Sequence, residues 1–216
     1  SEFGEVQQAL KDGVDLLSGY RHIERLPATH DVDGILLPRP FKIVRIGPVS
    51  LFVKDVDAAE AFYRDTLGFI PTEVVIWQGH RCVFMRANTE HHSLALYPLA
   101  LRERLGFSPH TTCMALGLQL ANYQQLRDAV RFLADHGARV TNAVPPELYP
   151  GMDYVAHVFD PDGHCIQLYY YMEQVGWDGK PRPKELRRKP ANGEWPAVLE
   201  PMSDTYQGEP FLGPWG

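Results

Sequence analysis

Between residues 41 and 171 the chain repeats one pattern twice, and this internal repeat limits the possible folds more than any other feature of the sequence. Each copy predicts a strand, a helix and then three strands, because a short apolar run precedes an apolar stripe of helical period and three further apolar runs follow. The last predicted strands align residue for residue, with 92–97 over 164–169, so that Ala95 corresponds to Gln167. The sequence therefore predicts two βαβββ modules.

The ends of the two predicted helices carry recognisable signals. In the first module, Asp57 followed by Glu60 has the spacing of a capping box, and Gly68 is predicted to end the helix. In the second module, Asn122 is predicted to cap the helix and Gly137 to end it. The strands are predicted at 49–53, 72–77, 81–85 and 92–97, and again at 114–120, 139–143, 154–159 and 165–171.

A module of this size cannot bury both faces of its own sheet, so the two modules are expected to pair around a shared concave surface. The predicted fold is α+β, with a half-open mixed β-sheet cup and helices outside. We expect three regions: an N-terminal helix and arm at 1–42, the paired modules at 43–172, and a Pro/Gly-rich tail at 173–216. The concave surface is the expected binding site.

The two flanking regions have different patterns from the repeat. Val6, Leu10, Val14 and Leu17 recur at helical spacing, and the prolines and glycine that follow predict an irregular arm. The tail contains seven prolines and six glycines, together with a basic run at 180–189 that we interpret as a solvated or docking segment. Its aromatic residues, from Trp195 to Trp215, predict packing across the cup or onto a second subunit, so we expect a homo-oligomer. We therefore hypothesise that the tail is a lid over the mouth of the cup or on a partner subunit.

Composition and charge exclude several classes of protein. The content of 44% hydrophobic and 22% charged residues is typical of a soluble globular protein. The net charge of −6, with basic residues spread through most of the chain, predicts no nucleic-acid partner. The sequence has no apolar run near the roughly 20 residues of a membrane span and no secretory leader, so we expect no membrane partner and a cytoplasmic location.

Cysteine and histidine usage bears on redox and metal chemistry. Cys82, Cys113 and Cys165 are odd in number and each lies in an apolar run, which predicts buried free thiols. Nine histidines are candidates for metal binding or proton transfer. None of them forms a His-x-x-x-His pair, and the sequence contains no Cys-x-x-Cys, nucleophile elbow or phosphate-binding loop.

Four stretches of the chain together resemble the vicinal oxygen chelate superfamily, and within it the type I extradiol ring-cleaving dioxygenases. They are GPVSLFVKDVD at 47–57, AFYRDTLGF at 61–69, EHHSLAL at 90–96 and FDPDGHCIQLY at 159–169. The resemblance covers residues 43–172. It implies that paired modules form a half-open sheet around a divalent metal, usually Fe(II), held by two His and one Glu, at which catechols are opened.

The residues at the family's metal-ligand positions differ from the family pattern. By resemblance, the two His positions fall on Pro48 and Ala115, and the Glu position falls on Gln167. Proline and alanine have no donor atom, and glutamine offers only a neutral carbonyl oxygen. We therefore expect no metal and no other cofactor, with Fe(II) only if this placement of the ligands is wrong.

The resemblance also suggests which residues act on a substrate. It places His91 at the family's proton-transfer histidine, facing the cavity, whereas strand alternation places His92 facing away. His157 lies where the family usually has a substrate-binding tyrosine and is the second candidate catalytic residue. Further residues are predicted to bind the substrate: Ser50, Gln119, Tyr154, Gln167, Tyr169 and Tyr171.

Three functions remain open from the sequence. The first is a metal-independent enzyme acting on a small oxygenated aromatic compound, with His91 as general acid or base. The second is a genuine Fe(II) extradiol dioxygenase with unconventional ligands or as one domain of a larger assembly. The third is a metal-free protein that only binds a small molecule, because Pro48 and Ala115 enlarge the former metal space and remove polar groups.

Overall fold

The computed structural model describes residues 29–141, 144–175, 179–188 and 195–199. The chain divides after Phe41 into two units. In the first unit, β1 (His30–Val32) and β2 (Ile35–Leu37) form an antiparallel hairpin. The predicted helix built on Val6, Leu10, Val14 and Leu17 lies outside the described residues.

The hairpin corrects the prediction of an irregular arm. Its turn is formed by Asp33 and Gly34, both at positive φ, and the Gly34 amide donates a 2.8 Å hydrogen bond to the Asp31 carboxylate. An Asp-Gly pair with both residues at positive φ is the preferred two-residue hairpin turn, because its twist matches that of the strands. The same dipeptide was a usable signal in the sequence.

In the second unit, eight strands form one mixed open sheet. They are β3 (Ile43–Val53), β4 (Ile70–Trp77), β5 (His80–Arg86), β6 (Leu94–Pro98), β7 (Cys113–Leu120), β8 (Arg139–Thr141), β9 (Val155–Phe159) and β10 (Cys165–Tyr169). Their order across the sheet is β4-β5-β6-β3-β7-β10-β9-β8, so each module supplies one half and β3 pairs with β7 in the middle. An α+β fold with paired modules is therefore confirmed.

Strand pairing repeats between the modules in the register that the sequence predicts. In the first module β6 runs parallel to β3, with Ala95 opposite Ser50. In the second module β10 runs parallel to β7, with Gln167 opposite Gly117. Ala95 and Gln167 thus occupy equivalent places, and the alignment of the two modules holds at the level of single residues.

Within the described residues, three α-helices accompany the sheet: α1 (Val56–Ala61), α2 (Leu101–Arg104) and α3 (Tyr123–Asp135). A π-helical turn, Phe62–Thr66, continues α1, and two 3₁₀ turns lie at Pro146–Leu148 and Lys184–Leu186. The predicted cap Asn122 is confirmed, because its side chain accepts a hydrogen bond from the Gln125 amide. The predicted capping box at Asp57 is wrong: α1 begins earlier, and Asp55 caps it by accepting from the Ala58 amide.

The helices cover the two faces of the sheet unequally. On one face, α1 packs against Val83, Met85, Leu94 and Leu96, and α3 contacts β7, β8 and β10. The other face, here called the inner face, carries the larger apolar core, and α2 contributes Leu101 to it. The expectation that all helices lie outside is therefore wrong for α2, whose four residues are too few to show a helical period.

Two further observations concern the composition-based expectations. Cys82 and Cys165 are buried free thiols as predicted, but Cys113 is exposed, because it begins β7 at the edge of its apolar run. Burial raises the pKa of the Cys82 thiol to about 12. Within the described ranges, no helix is both long and apolar enough to cross a membrane.

Candidate functional site

The three positions at which the resemblance places metal ligands meet at the centre of the sheet. Gln167 lies opposite Gly117, and a Cβ atom on Gly117 would lie 2.4 Å from Cδ of Pro48. Ala115 lies two residues before Gly117 on β7, opposite Ser50. Because side chains alternate along a strand, residues 115 and 117 share the face on which Ser50 is buried. This group of positions is called the sheet centre below.

The side chains at the sheet centre do not suit the family's metal ion. Pro48 and Ala115 have no ligand atom, and Gln167 offers a neutral amide. The Gln167 Nε2 atom lies 3.3 Å from Nε2 of His157, which is the residue opposite on β9. In the part of the chain that the structure describes, no group of three His, Cys, Asp or Glu side chains is placed to hold a metal ion.

His157 and Gln167 are buried with part of their hydrogen-bonding capacity unused. Within the described residues, neither Nδ1 of His157 nor Oε1 of Gln167 has a hydrogen-bond partner. Burial lowers the pKa of His157 from 6.5 to about 4, so its imidazole is neutral at pH 7. The sheet centre therefore consists of uncharged groups.

Apolar side chains from the 144–152 segment and from the strands pack over the inner face. The Tyr97 hydroxyl donates a hydrogen bond to the Leu148 carbonyl, and burial raises the pKa of Tyr97 well above its ordinary value. Val144, Leu148, Tyr149 and Met152 belong to the same buried cluster. These side chains of the chain itself therefore cover part of the surface that was predicted as a half-open cup.

Several predicted substrate-binding residues lie in or near this core and are engaged in it. Ser50 is buried in β3, and the buried Tyr169 donates a 2.6 Å hydrogen bond from its hydroxyl to the Gly47 carbonyl. The side-chain amide of Gln119 donates to the Tyr170 carbonyl at 3.0 Å. These polar groups are satisfied by the fold itself.

Tyr154 does not line the inner face, which corrects its predicted place. Its ring lies 5.1 Å from that of Tyr123 on α3 and 5.6 Å from that of Trp195. Strand alternation already places Tyr154 opposite to His157, because the two are three residues apart on one strand. Tyr171 follows the end of β10 and is half-buried. Trp195 thus packs on the α3 side, and Tyr206, Phe211 and Trp215 lie outside the described residues.

His91 and His92 lie side by side and are both buried. Nε2 of His91 is 2.9 Å from Oε2 of Glu73, and Nδ1 of His91 is 3.0 Å from Nδ1 of His92. His92 was predicted to face away, but both rings pack against Phe84. The reason is that β6 begins at Leu94, so strand alternation does not extend back to the two histidines.

Gly151 encloses His91 from the other side. A Cβ atom at residue 151 would lie 2.3 Å from Cγ of His91, so only glycine fits, and its φ of +78° also favours glycine. The backbone of Glu173 accepts from the His91 amide at 2.7 Å and donates to the Gly151 carbonyl at 2.7 Å. His91 therefore has no exposed surface, and its side chain connects outward through Glu73.

The Glu73 carboxylate has contacts with two side chains, His91 and Arg187. Arg187 donates to both of its oxygens, at 3.1 and 2.6 Å, in addition to the contact with His91. Burial alone would raise the pKa of Glu73, but the hydrogen bonds from His91 and Arg187 outweigh it and lower the pKa from 4.5 to about 2. Glu73 is therefore ionised at any ordinary pH.

Arg187 belongs to residues 179–188, here called the strap. Nε of Arg187 also lies 3.6 Å from Oε2 of Glu173, and the Arg182 amide donates to the Glu173 carboxylate. Arg188 contacts the Asp153 carboxylate at 3.2 Å. Three carboxylates, the guanidinium groups of Arg187 and Arg188, and the Arg182 backbone amide thus form one group, which is called the cleft network below.

A cleft of about 400 Å³ lies beside the cleft network. Its walls include the apolar or aromatic side chains of Val75, Trp77, Tyr149 and Met152. Its charged groups include Glu73, Asp153, Lys184, Arg187 and Arg188. This volume is within the usual range for small-molecule sites, and a mostly apolar wall with a few convergent polar groups is their usual chemistry.

The sequence indicated the sheet centre but not the cleft. Glu73 is a charged residue inside the apolar strand 70–77, and the strap contains the basic run that we interpreted as a solvated or docking segment. The charged residue in the strand and the basic run are each visible in the sequence. The contact between Glu73 and Arg187, however, joins residues 114 positions apart, and the sequence has no local signal for it.

A family model described as "Glyoxalase/Bleomycin resistance protein/Dioxygenase superfamily" matches residues 45–168, which is more than half of the chain. No curated protein matches the sequence. Solved structures of extradiol dioxygenases share the fold at low sequence identity. The halotolerant catechol dioxygenase BphC is 17% identical with a TM-score of 0.52, and the match covers 68% of this chain and 48% of that one.

Two further solved structures give similar values. The 2,2',3-trihydroxybiphenyl 1,2-dioxygenase of Sphingomonas wittichii strain RW1 is 23% identical, with a TM-score of 0.48 and coverage of 60% of this chain and 43% of that one. Homoprotocatechuate 2,3-dioxygenase of Brevibacterium fuscum is 19% identical, with a TM-score of 0.49 and coverage of 62% and 39%. The matched part spans less than half the length of each of these dioxygenases.

Proposed function

Because the chain belongs to the glyoxalase/bleomycin resistance protein/dioxygenase superfamily, we propose that it binds a small oxygenated aromatic compound without a metal ion at the family's three ligand positions. The observation that carries this proposal is the cleft beside Glu73. The fold resembles that of a halotolerant catechol dioxygenase, and this likeness motivates the choice of ligand class.

The cleft suits a flat ring that carries hydroxyl groups. Trp77 and Tyr149 provide aromatic surface on its walls, and Val75 and Met152 provide apolar surface. The ionised Glu73 carboxylate is a hydrogen-bond acceptor for a phenolic hydroxyl, and such charge-assisted bonds are about twice as strong as neutral ones. Its lowered pKa keeps Glu73 ionised, so that it can accept a hydrogen bond, but also makes it a weak base.

Metal independence rests on the chemistry of the sheet centre. Two of the three family ligand positions have no donor atom, and the third, Gln167, lies against the neutral His157. A divalent ion would find one neutral oxygen there, whereas a stable site needs several charged or strongly polar ligands.

A second candidate is acid–base catalysis in the same cleft. It is favoured by the chain of contacts from His92 through His91 to Glu73, which joins buried imidazoles to a carboxylate on the cleft wall. His91 would act as a positioning and proton-holding group behind Glu73, since Gly151 separates it from the cleft. A positioned acid or base contributes roughly 10²–10⁴-fold to a rate.

The test is calorimetric titration of chelator-treated protein with phenol and with catechol. We expect binding to survive chelation, to fall at least tenfold in Glu73→Gln and in Trp77→Ala, and to be unchanged in Val74→Ala, which alters the opposite face of the same strand. No binding, or binding indifferent to both cleft variants, would overturn the proposal. Stoichiometric iron with ring-opened product would instead establish a dioxygenase.

Analysis of the ligand after long incubation separates binding from catalysis. Recovery of the intact compound supports a binding protein. A product that disappears in both Glu73→Gln and His91→Gln supports the acid–base candidate. His157→Gln is the control in this comparison. It should leave product formation unchanged, because His157 lies at the sheet centre and not on the cleft wall.

A further inference from the structure

The charges of the cleft network are divided between two parts of the chain. Its three carboxylates, Glu73, Asp153 and Glu173, come from the paired modules or the residues directly after β10. Its two guanidinium groups, Arg187 and Arg188, come from the strap, which also donates the Arg182 backbone amide to Glu173. The strap lies beyond residues 45–168 that the family model matches. The positive half of the network is therefore an addition to the family domain.

The strap pairs two arginines with the three carboxylates, since Arg187 contacts both Glu73 and Glu173. Arg187 bonds both oxygens of Glu73, and Arg188 contacts Asp153, whose carboxylate also accepts from the Tyr170 hydroxyl at 3.0 Å. Side chains of the pairs are mostly buried: Arg187 is 14% and Glu73 9% exposed. Where water is largely excluded, an uncompensated carboxylate would be a strong attractor for cations.

The bonds at Glu73 leave room for a limited ligand contact. A carboxylate has about four lone-pair positions. On Glu73, Oε2 accepts from His91 and from Arg187, and Oε1 accepts once from Arg187. Among the contacts of the described residues, one position on Oε1 remains, which suits a single hydroxyl donor. An ammonium group carries three donors and a charge that Arg187 repels, so it fits this place poorly.

We propose that Arg187 is a specificity-determining residue, which makes the cleft select an uncharged hydroxylated ring over a cationic ring of the same size. The inference rests on the proposed function and narrows its ligand class. Without Arg187, Glu73 would keep the hydrogen bond from His91 but would present to the cleft a negative charge that no guanidinium neutralises, and the preference would move toward cations. Arg187 acts through Glu73, so it positions and neutralises the carboxylate.

The binding test compares phenol with benzylamine, a similar ring that carries a positive charge at neutral pH. For the unchanged protein we expect phenol to bind at least tenfold more tightly. In Arg187→Gln this ratio should fall at least tenfold, and in Arg187→Lys, which keeps the charge, it should fall less. Arg64→Gln is the matched control, because it removes the same charge from an exposed ion pair on the helical side. An unchanged ratio in Arg187→Gln overturns the inference.

A second measurement needs no ligand. Titration of ¹³C-labelled glutamate carboxyls by NMR should give a higher pKa for Glu73 in Arg187→Gln than in the unchanged protein. In Arg64→Gln the pKa of Glu73 should stay the same. An unchanged pKa of Glu73 in Arg187→Gln overturns the inference, even where binding is observed. If this pKa rises but neither ring binds the unchanged protein, the proposed function is wrong and neutralisation of Glu73 by the strap is supported. Circular dichroism confirms that each variant is folded.

Discussion

The sheet centre and the cleft network are two polar sites in one domain, built on opposite principles. At the sheet centre, His157 and Gln167 are neutral and each keeps an atom without a partner in the described structure. In the cleft network, Glu73 is ionised and bonded by three donors. The positions at which the resemblance places metal ligands thus carry neutral groups, whereas Glu73, outside those positions, is an ionised carboxylate.

The difference shows how polar groups survive burial. A buried neutral group with one missing bond costs less than an unpaired buried charge, so the sheet centre tolerates incomplete bonding. A buried carboxylate requires compensation, and the strap supplies it from a distant part of the chain. The buried carboxylates of Glu73, Asp153 and Glu173 therefore depend on the strap for compensation, and substitution of its arginines tests this dependence.

The largest expected effect tests how tightly the sheet centre is built. A Cβ atom in Gly117→Ala would lie 2.4 Å from both the Gly47 carbonyl oxygen and Cδ of Pro48, which belong to the adjacent strand. Because backbone must move, we expect a loss of about 3 kcal/mol in the free energy of unfolding, measured with urea. Gly163→Ala is the control: its φ is +86° but no atom lies within 4 Å, so it should cost only about 1 kcal/mol. Equal losses would contradict close packing at Gly117.

The next prediction concerns the pH dependence contributed by His157. Its pKa is about 4 when folded and 6.5 in the ordinary state, so the unfolded chain binds the extra proton between these values. The contribution of His157 to the free energy of unfolding is therefore complete above pH 6.5. It falls by up to about 3 kcal/mol as the pH approaches 4. Unfolding free energies from pH 7 to 4.5 should show this loss.

Two variants of His157 isolate the cause. His157→Gln keeps a polar side chain without a titrating ring, and His157→Leu removes polarity as well. Both should lose less stability than the unchanged protein over the same pH interval. The same slope in all three proteins would show that another group is responsible.

Much of the fold could be predicted because its signals are local and repeated. The matching of Ala95 with Gln167 placed the two modules in the correct register, and Asn122 marked the start of α3. Predictions failed where an element is short or begins late. Helix α2 has four residues, and the late start of β6 at Leu94 reversed the expected facing of His92.

The candidate site was predictable only in part. Family resemblance identified Pro48, Ala115 and Gln167, and these positions do meet in the structure. The contact between Glu73 and Arg187 could not be predicted, because it depends on how the strap returns across the domain. Charged residues that pair over long separations carry no periodic pattern, so each one alone predicts a solvated position.

A smaller effect is expected from Glu73 at acid pH. Its folded pKa is about 2 and its ordinary value is 4.5, so its contribution to stability is present above pH 4.5 and is lost as the pH falls toward 2. We expect about 2 kcal/mol, less than the whole shift would give, because solvent reaches the cleft side of the network. Glu73→Gln should have a lower free energy of unfolding than the unchanged protein at pH 7, and this free energy should fall little between pH 4.5 and 3. If it falls as steeply as in the unchanged protein, the assignment to Glu73 is wrong.

The smallest effect is expected from Gln167→Met, and it tests whether the sheet centre is as weakly bonded as its contacts indicate. The change removes an Oε1 atom that has no partner within the described residues and a 3.3 Å contact from Nε2 to His157. Relief of the unsatisfied oxygen offsets loss of that contact, and methionine fills nearly the same volume. The free energy of unfolding should therefore change by less than about 1 kcal/mol. A loss above about 2 kcal/mol would mean that Gln167 makes a strong interaction at the sheet centre, and the contrast with Glu73 would then disappear.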